Sequence, residues 1–213
     1  MINIRTFAFN MFQVNTLVLS DDNGECVIID PGCQDATEFG KLIQYIKKNE
    51  LKPVMLINTH CHVDHILGNK FVFEEYGIKP LLHVEELGVL TSANDYSRML
   101  NLPDPESPLP ESFLEDEQIL KFGTSTLQVI FTPGHSPGHV SLYSEENKFI
   151  ICGDVLFDGS IGRTDLPGGD YLQLIKSIKT RILPLGDDIK VYSGHGNSTT
   201  IGKERKTNQF LLY

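Results

Sequence analysis

The stretch HCHVDH at residues 60–65 decides how the rest of this sequence is interpreted. It follows the apolar run PVMLI at residues 53–57, which predicts a buried strand that ends where the polar side chains begin. In extended backbone His60 and His62 project to the same side, so together they can bind one ion. The turn after them can direct the aspartate and the third histidine of the stretch toward a second ion.

A cluster of this density is typical of a metal site. A lone histidine is more often a hydrogen-bonded polar or core residue, but three histidines and an aspartate lie within six residues here. Burying such a cluster without a cation would cost free energy. Imidazole and carboxylate ligands suit zinc, iron or manganese. Cys61 lies on the opposite side of an extended strand and is expected to be a packed thiol.

Three later segments place further metal-binding side chains at the ends of apolar runs. They are Pro133-Gly134-His135, Gly153-Asp154 and Gly194-His195-Gly196. The first two follow the strand-like runs at residues 129–131 and 149–152. All the segments together supply five histidines and two aspartates, enough for two divalent cations with a shared carboxylate. A single cleft at one edge of a pair of sheets is therefore predicted.

The order of these segments resembles the metallo-β-lactamase superfamily, with H-x-H-x-D-H, then P-G-H, then G-D after a strand, then G-H toward the C-terminus. The resemblance extends from the Asn10 region to Asn208. A finer match is to the glyoxalase II-like hydrolases, and it rests on three longer motifs. These are TPGHSPGH at 132–139, GSIGRTD at 159–165 and TTIGKER at 199–205.

The resemblance implies a role for each candidate ligand. One metal is assigned to His60, His62 and His135. A second metal is assigned to Asp64, His65 and His195, and Asp154 is assigned as the bridge between the two. Two divalent cations are thus expected, with zinc as the leading candidate and iron or manganese as alternatives. Asp64 is also a candidate catalytic residue, as a proton acceptor or donor during turnover, although a purely ligating role is an equal alternative.

Two further residues are expected to support the ligands without binding metal. His139 matches a family histidine that is not a ligand; it either orients a ligand or is a plain residue at a strand edge. Asp30 follows an apolar run and precedes Pro31-Gly32, which is typical of an aspartate at a strand-to-turn junction. The resemblance implies that Asp30 also lies close to the metal-bearing loop. His83 matches no ligand position, and we interpret it as structural.

The composition is that of an ordinary globular enzyme. The chain has 213 residues, of which 40% are hydrophobic and 22% charged, and we expect one domain over residues 1–213. A net charge of -10 argues against a nucleic-acid partner, which requires clustered lysine and arginine. We expect no membrane partner and a cytoplasmic location, because no long apolar span or signal peptide is evident. The four cysteines have no C-x-x-C spacing and are expected to be reduced.

Apolar periodicity predicts two clusters of strands, each followed by helices. The first cluster comprises strands near 2–8, 14–20, 25–30 and 53–57, with helices near 35–49, 68–76 and 84–99. The second comprises strands near 118–122, 125–131, 139–144, 148–152 and 189–192, with a helix near 171–182. This pattern predicts an α+β fold with two sheets face to face and helices outside. The resemblance implies the same architecture, a four-layer αββα sandwich. The proline-rich stretch 100–117 is predicted to be a surface loop.

The predicted chemistry is metal-assisted hydrolysis. Two cations about 3.5–4 Å apart lower the pKa of a bridging water and polarise a carbonyl. No side-chain nucleophile is required, and Ser136 and Ser141 lie in no G-x-S-x-G motif. The resemblance implies that a metal-bridging hydroxide cleaves S-2-hydroxyacylglutathione thioesters such as S-lactoylglutathione. Longer glyoxalase II enzymes carry a C-terminal helical region that contacts glutathione. Since 18 residues follow His195, we expect a short form with a differently built glutathione site.

A cationic side chain is expected to bind the anionic glutathione moiety. Arg163 is the main candidate, because it lies in a glycine-rich loop and arginine can bind a carboxylate through two hydrogen bonds. A solvated arginine is an equal alternative. For Lys203, Arg205 and Lys206, a solvated helix face is the favoured interpretation.

Other functions remain open. The main alternative is a mononuclear-iron persulfide dioxygenase of the same superfamily. That branch departs from the second histidine of P-G-H-x-x-G-H, which this chain retains as His139. A non-catalytic metal-binding protein is disfavoured by the complete ligand set, and a β-lactamase by the absence of an export signal.

Overall fold

Fourteen strands and six α-helices form the fold of residues 1–212, the residues that this computed structural model describes. The strands are β1 (Asn3–Phe9), β2 (Val14–Ser20), β3 (Glu25–Ile29), β4 (Lys52–Ile57), β5 (Pro80–His83), β6 (Phe113–Leu114), β7 (Ile119–Phe122), β8 (Ser125–Phe131), β9 (Val140–Ser144), β10 (Phe149–Gly153), β11 (Leu156–Phe157), β12 (Ser160–Ile161), β13 (Lys190–Ser193) and β14 (Thr199–Thr200). The helices are α1 (Ala36–Lys48), α2 (Val63–Ile66), α3 (Asn69–Tyr76), α4 (Leu87–Met99), α5 (Tyr171–Ser177) and α6 (Ile201–Thr207).

The strands form two six-stranded sheets and a small ribbon. The first sheet has the order β1-β2-β3-β4-β5-β6, the second has the order β14-β13-β10-β9-β8-β7, and β11 pairs with β12 alone. The first sheet is antiparallel from β1 to β3 and parallel from β3 to β6. In the second sheet only the β10–β13 pair is parallel. Parallel neighbours end at the same edge of a sheet, so the residues that follow them are brought side by side.

Alternation along the strands divides the apolar side chains into layers. In β3, Val27 and Ile29 belong to the cluster between the two sheets, whereas Ile28 packs with residues of α1 and α3 on the outer face. In β10, Ile151 belongs to the inner cluster and Ile150 packs with residues of α5 and α6. Because both faces of each sheet are covered, the sequences of the central strands are nearly continuous apolar runs. The resulting order of layers is helix, sheet, sheet, helix.

The predicted four-layer αββα architecture is confirmed, with differences at the ends of elements. The predicted helix 84–99 starts with a 3-10 turn over Val84–Glu86 before α4 begins. The predicted helix 171–182 is α-helical only to Ser177 and continues as a π-helical segment over Ile178–Ile182. The proline-rich loop contains the short strand β6, which the sequence pattern did not predict.

Two further observations concern the cysteines and the helices. All four cysteines are buried and unpaired, and all four belong to the described part of the chain. Within residues 1–212, no helix combines the length and the apolar character that crossing a bilayer requires.

The layer between the sheets is expected to dominate stability. Leu142 is fully buried there, so Leu142→Ala should lower the free energy of unfolding by about 2–5 kcal/mol through lost contacts and a residual cavity. Leu172, which is 77% exposed, provides a matched control, and Leu172→Ala should change stability by less than about 0.5 kcal/mol. Urea denaturation of both variants measures the difference. Equal losses would contradict the assignment of the core to this layer.

Candidate metal centre

Four loops at one edge of the sandwich bring the seven predicted ligands together. β3 and β4 are parallel with Ile29 opposite Ile57, which places Asp30 beside the start of the HCHVDH loop. β10 and β13 are parallel with Gly153 opposite Ser193, which places Asp154 beside the Gly194-His195 segment. The polar motifs therefore meet because the strands before them end at the same edge.

The first group of ligands consists of His60, His62 and His135. One ligand atom from each lies within 4.8 Å of those of the other two. The Nδ1 atom of His62 is 2.9 Å from Nε2 of His135. The Nδ1 atom of His135 donates to the carbonyl of Arg163 at 2.7 Å, and that of His60 lies 3.1 Å from the Thr59 hydroxyl oxygen. These outer contacts orient the two rings and leave their Nε2 atoms facing inward.

The second group consists of Asp64, His65 and His195. Its ligand atoms also lie within 4.8 Å of one another. The Nε2 atoms of the two histidines are 3.3 Å apart, and Nε2 of His195 lies 3.4 Å from an oxygen of Asp64. The Nδ1 atom of His65 donates to Asp30 at 3.1 Å, and that of His195 donates to the Phe12 carbonyl at 2.8 Å. A hydrogen bond from Nδ1 to an oxygen thus orients both rings of this group.

Asp154 lies between the two groups. One of its carboxylate oxygens is 3.5 Å from Nε2 of His65. The other is 3.5 Å from Nε2 of His135 and 3.4 Å from Nε2 of His195. A single carboxylate therefore faces ligands of both groups, which is the arrangement that a bridging ligand requires.

The unmet bonding capacity of these atoms fits a pair of cations. His65 and His195 both donate through Nδ1, so in their neutral forms the two rings direct Nε2 lone pairs at each other. In addition, Nε2 of His60 and one oxygen of Asp154 are buried and have no hydrogen-bond partner in the protein. Facing lone pairs and buried acceptors without donors are costly. Divalent cations bound by nitrogen and oxygen would remove both costs, and zinc, iron and manganese all accept this donor set.

The electrostatic environment differs between the two groups. Burial and the neighbouring imidazole lower the pKa of His62 to about 3, so this ring is neutral and able to donate a lone pair. Burial also lowers the pKa of His65, but the carboxylates of Asp154 and Asp64 outweigh burial and raise this pKa to about 9. For His195, burial is outweighed by its hydrogen bonds to the same two carboxylates, which raise its pKa to about 11. The carboxylates of Asp64 and Asp154 therefore stabilise positive charge in the second group, either as protons on the two rings or as a bound cation.

Asp30 lies against the metal-bearing loop, as the resemblance implied. It is buried and its backbone is left-handed, with φ at 47°. Its carboxylate accepts the backbone N–H of Thr59 at 2.7 Å, the Thr59 hydroxyl at 2.6 Å and Nδ1 of His65. Asp30 also lies within ligand distance of His60 and His65. Because both of its oxygens already accept hydrogen bonds, a supporting role fits this geometry better than ligation.

His139 contacts the backbone of Asp154. The ring is fully buried, and its Nε2 accepts the N–H of Asp154 at 3.2 Å. Its Nδ1 therefore carries the proton and donates to the Thr132 hydroxyl at 3.1 Å. Of the two roles left open by the sequence, this geometry supports the orienting role.

The predicted cationic residues lie on the surface. The Arg163 side chain is 61% exposed and pairs with Asp165 through two hydrogen bonds of 2.8 and 2.7 Å. Its contact with the ligand set is made by its backbone carbonyl, not by its guanidinium group. Lys203 pairs with Asp158, and Arg205 pairs with Asp187 at 2.8 Å.

Two residues that were predicted not to bind metal pack away from the ligand atoms. The His83 ring packs on Phe131 with ring centroids 4.4 Å apart, consistent with a structural role. Cys61 is fully buried in an apolar cluster that contains Leu82 and Leu90, so its thiol is packed as predicted.

The sequence analysis did not identify the groups that orient the candidate ligands through hydrogen bonds on the side away from the metal site. The carbonyls of Phe12 and Arg163 orient histidines, and a backbone carbonyl leaves no signal in a sequence. Glu86 was also missed, because its surroundings were interpreted only as part of a helical stretch. In the structure its carboxylate is fully buried between the loops that carry His60, His62 and His135.

Comparisons with known proteins agree with this fold. Residues 10–195 match the metallo-β-lactamase superfamily. The hydroxyacylglutathione hydrolase GloC of Haemophilus influenzae is 37% identical over 211 residues, which is 98% of either chain. The crystal structure of the BLEG-1 B3 metallo-β-lactamase is 39% identical with a TM-score of 0.91, over 99% of this chain and 100% of that one. The structure of TTHA1623 in a di-iron-bound form is 37% identical with a TM-score of 0.88, and the match covers 97% of this chain and 100% of that one. This chain belongs to the metallo-β-lactamase superfamily, as a metallo-hydrolase of the glyoxalase II-like type.

Proposed function

We propose that the protein is a metal-dependent thioesterase that hydrolyses S-2-hydroxyacylglutathione, with S-lactoylglutathione as the representative substrate. The observation that carries this proposal is the position of Asp154, whose carboxylate faces ligands of both groups. The 37% identity to a hydroxyacylglutathione hydrolase over nearly the whole chain supports this choice of substrate.

The ligand assignment is part of the proposal. His60, His62 and His135 would hold one cation, and Asp64, His65 and His195 would hold the other. Asp154 would bind both. Zinc is the leading candidate, and the di-iron form of a relative with 37% identity supports iron as the alternative. Bound divalent cations would lower the pKa of coordinated water and polarise the thioester carbonyl.

The protein's own residues supply orientation and proton transfer. Asp30 and His139 hold the ring of His65 and the backbone of Asp154, so these ligands need little reorganisation during turnover. The Asp64 side chain is 19% exposed and that of Asp154 is 12% exposed, so Asp64 is the more accessible of the two carboxylates. We assign Asp64 to accept the proton of the attacking water and to return it to the departing thiolate. A C–O bond forms and the C–S bond breaks, which yields glutathione and a hydroxy acid.

Two other activities belong in the same assay. One relative with 39% identity is a B3 metallo-β-lactamase, and this favours β-lactam hydrolysis as the second candidate. Attack of activated water on a strained amide would use the same ligands. The persulfide dioxygenase alternative requires one iron, whereas the lone pairs and buried acceptors at this site extend over both groups of ligands.

The first experiment combines metal analysis with three activity assays on the purified protein. We expect about two metals per chain and rapid hydrolysis of S-lactoylglutathione, with no oxygen uptake on glutathione persulfide and slower hydrolysis of a chromogenic cephalosporin. One iron per chain with oxygen uptake would contradict the proposal and favour the dioxygenase. Preferential cephalosporin hydrolysis would favour the second candidate instead.

Substitution of the bridging residue tests the shared ligand. Asp154→Ala should lower the metal content of the protein and reduce kcat for S-lactoylglutathione by at least about 100-fold, because one carboxylate would serve both cations. Asp158→Ala, in an exposed residue four positions along the chain, is the control and should leave both values unchanged. Elemental analysis and steady-state kinetics give the comparison. A fully metallated and active Asp154→Ala variant would rule out the bridge.

The role of Arg163 is tested by separating KM from kcat. Arg163→Ala should raise KM for S-lactoylglutathione about 10-fold and leave metal content unchanged, because the guanidinium would lose a charge-assisted contact to the substrate carboxylate. To reach the substrate the side chain must leave Asp165, and exposed ion pairs are weak enough for this exchange. Arg205→Ala removes another exposed, aspartate-paired arginine and should leave KM unchanged. If both variants keep the wild-type KM, Arg163 does not contact the substrate.

A further inference from the structure

Glu86 is a fully buried carboxylate outside the set of candidate ligands. It lies at the start of α4 and accepts three hydrogen bonds. One oxygen accepts the backbone N–H of Cys61 at 2.7 Å. The other accepts the backbone N–H of Gly138 at 2.7 Å and the hydroxyl of Ser136. A charged group is this deeply buried only where its oxygens are well satisfied.

The three donors come from the two loops that carry the first group of ligands. Cys61 lies between His60 and His62, and Ser136 directly follows His135. One side chain therefore joins the loop after β4 to the loop after β8. The contact is close, because a Cβ atom on Gly138 would lie 2.6 Å from the backbone nitrogen of Glu86. A glycine is required at this position for the two segments to approach.

The chemistry of the contact suits an ionised carboxylate. The two backbone N–H partners of Glu86 can only donate, and a carboxylate can accept from both of them and from the Ser136 hydroxyl. Glutamine has the same shape, but its NH2 group would face at least one N–H donor. Burial raises the pKa of Glu86, and the hydrogen bonds from Ser136, Cys61 and Gly138 oppose this rise.

We propose that Glu86 is a positioning residue for the metal held by His60, His62 and His135. Its carboxylate sets the separation of the two loops, and so the separation of His62 and His135, whose facing nitrogens are 2.9 Å apart. This inference rests on the ligand assignment of the proposed function.

The effect of Glu86 falls mainly on one metal. Asp64 and His65 of the second group lie in the same loop as Cys61, but His65 is oriented by Asp30 and His195 by the Phe12 carbonyl. Neither of these contacts involves Glu86. Loss of its carboxylate therefore weakens the first metal more than the second.

A matched pair of substitutions tests this specificity. Glu86→Gln removes the carboxylate of interest. Glu204→Gln is the control, because Glu204 is also fully buried and accepts three hydrogen bonds, from Thr199 at 2.6 Å, Gly159 at 2.9 Å and Asn208 at 2.9 Å. Both substitutions leave one buried carboxylate fewer, but only Glu86 contacts the loops of the first group.

The measurement is a zinc titration of each metal-free protein in competition with a chromophoric chelator, which resolves two stepwise constants. His62→Ala and His195→Ala assign each constant to a group of ligands. We expect Glu86→Gln to weaken the first-group constant by about 10–100-fold and to weaken the second far less. Glu204→Gln should leave both constants unchanged, even if the two variants show the same fall in melting temperature.

Each contrary result has a distinct meaning. If the wild-type protein binds fewer than two zinc ions, the proposed function fails and the inference fails with it. If the wild type binds two and Glu86→Gln binds both as tightly, the inference alone is wrong. Equal weakening of both constants by both variants would also overturn it, because Glu86 would then act only through overall stability. If Glu86→Gln does not fold, Ser136→Ala must weaken the first-group constant by a smaller factor, and an unchanged constant overturns the inference.

Discussion

The convergence of five imidazoles and two carboxylates at one edge of the sandwich is the constraint on which the rest of the structure depends. Lone pairs that face one another are unfavourable in a buried site, and this fold forces them together. Cations bound by these atoms would offset the cost, which would couple metal binding to the stability of the site. The neighbouring residues serve this arrangement: they fix which ring nitrogen carries the proton and in which direction the other nitrogen points.

The supporting contacts come from different parts of the chain and act on different ligands. Asp30 follows β3 and orients His65, and His139 precedes β9 and holds the backbone of Asp154. Glu86 begins α4 and lies behind the loops of the first group. Ligand geometry is therefore distributed over both sheets and one helix. A substitution far from the ligands in sequence would thus affect the two groups of ligands to different degrees.

Much of this arrangement could be predicted from the sequence because polar motifs follow apolar runs. Strands buried on both faces gave clear signals, as in β3 and β10, and the ligands stood at the ends of such runs. The direction of the Arg163 side chain could not be predicted, because a loop sequence does not determine which of its atoms faces the site. Glu86 escaped notice since a glutamate within a helical pattern is normally solvated. Its burial depends on Gly138, which lies far away in sequence.

The origin of the ligands in both halves of the sandwich has a consequence for folding. The first sheet supplies the ligands at residues 60–65, and the second supplies those at 135, 154 and 195. Cations shared among them would act as reversible cross-links between chain segments that are distant in sequence. Because such cations would bind the native state more tightly than the unfolded chain, their concentration would enter the folding equilibrium by mass action. A cell that runs short of metal would lose folded protein as well as activity, so metal supply would determine how much of this chain persists.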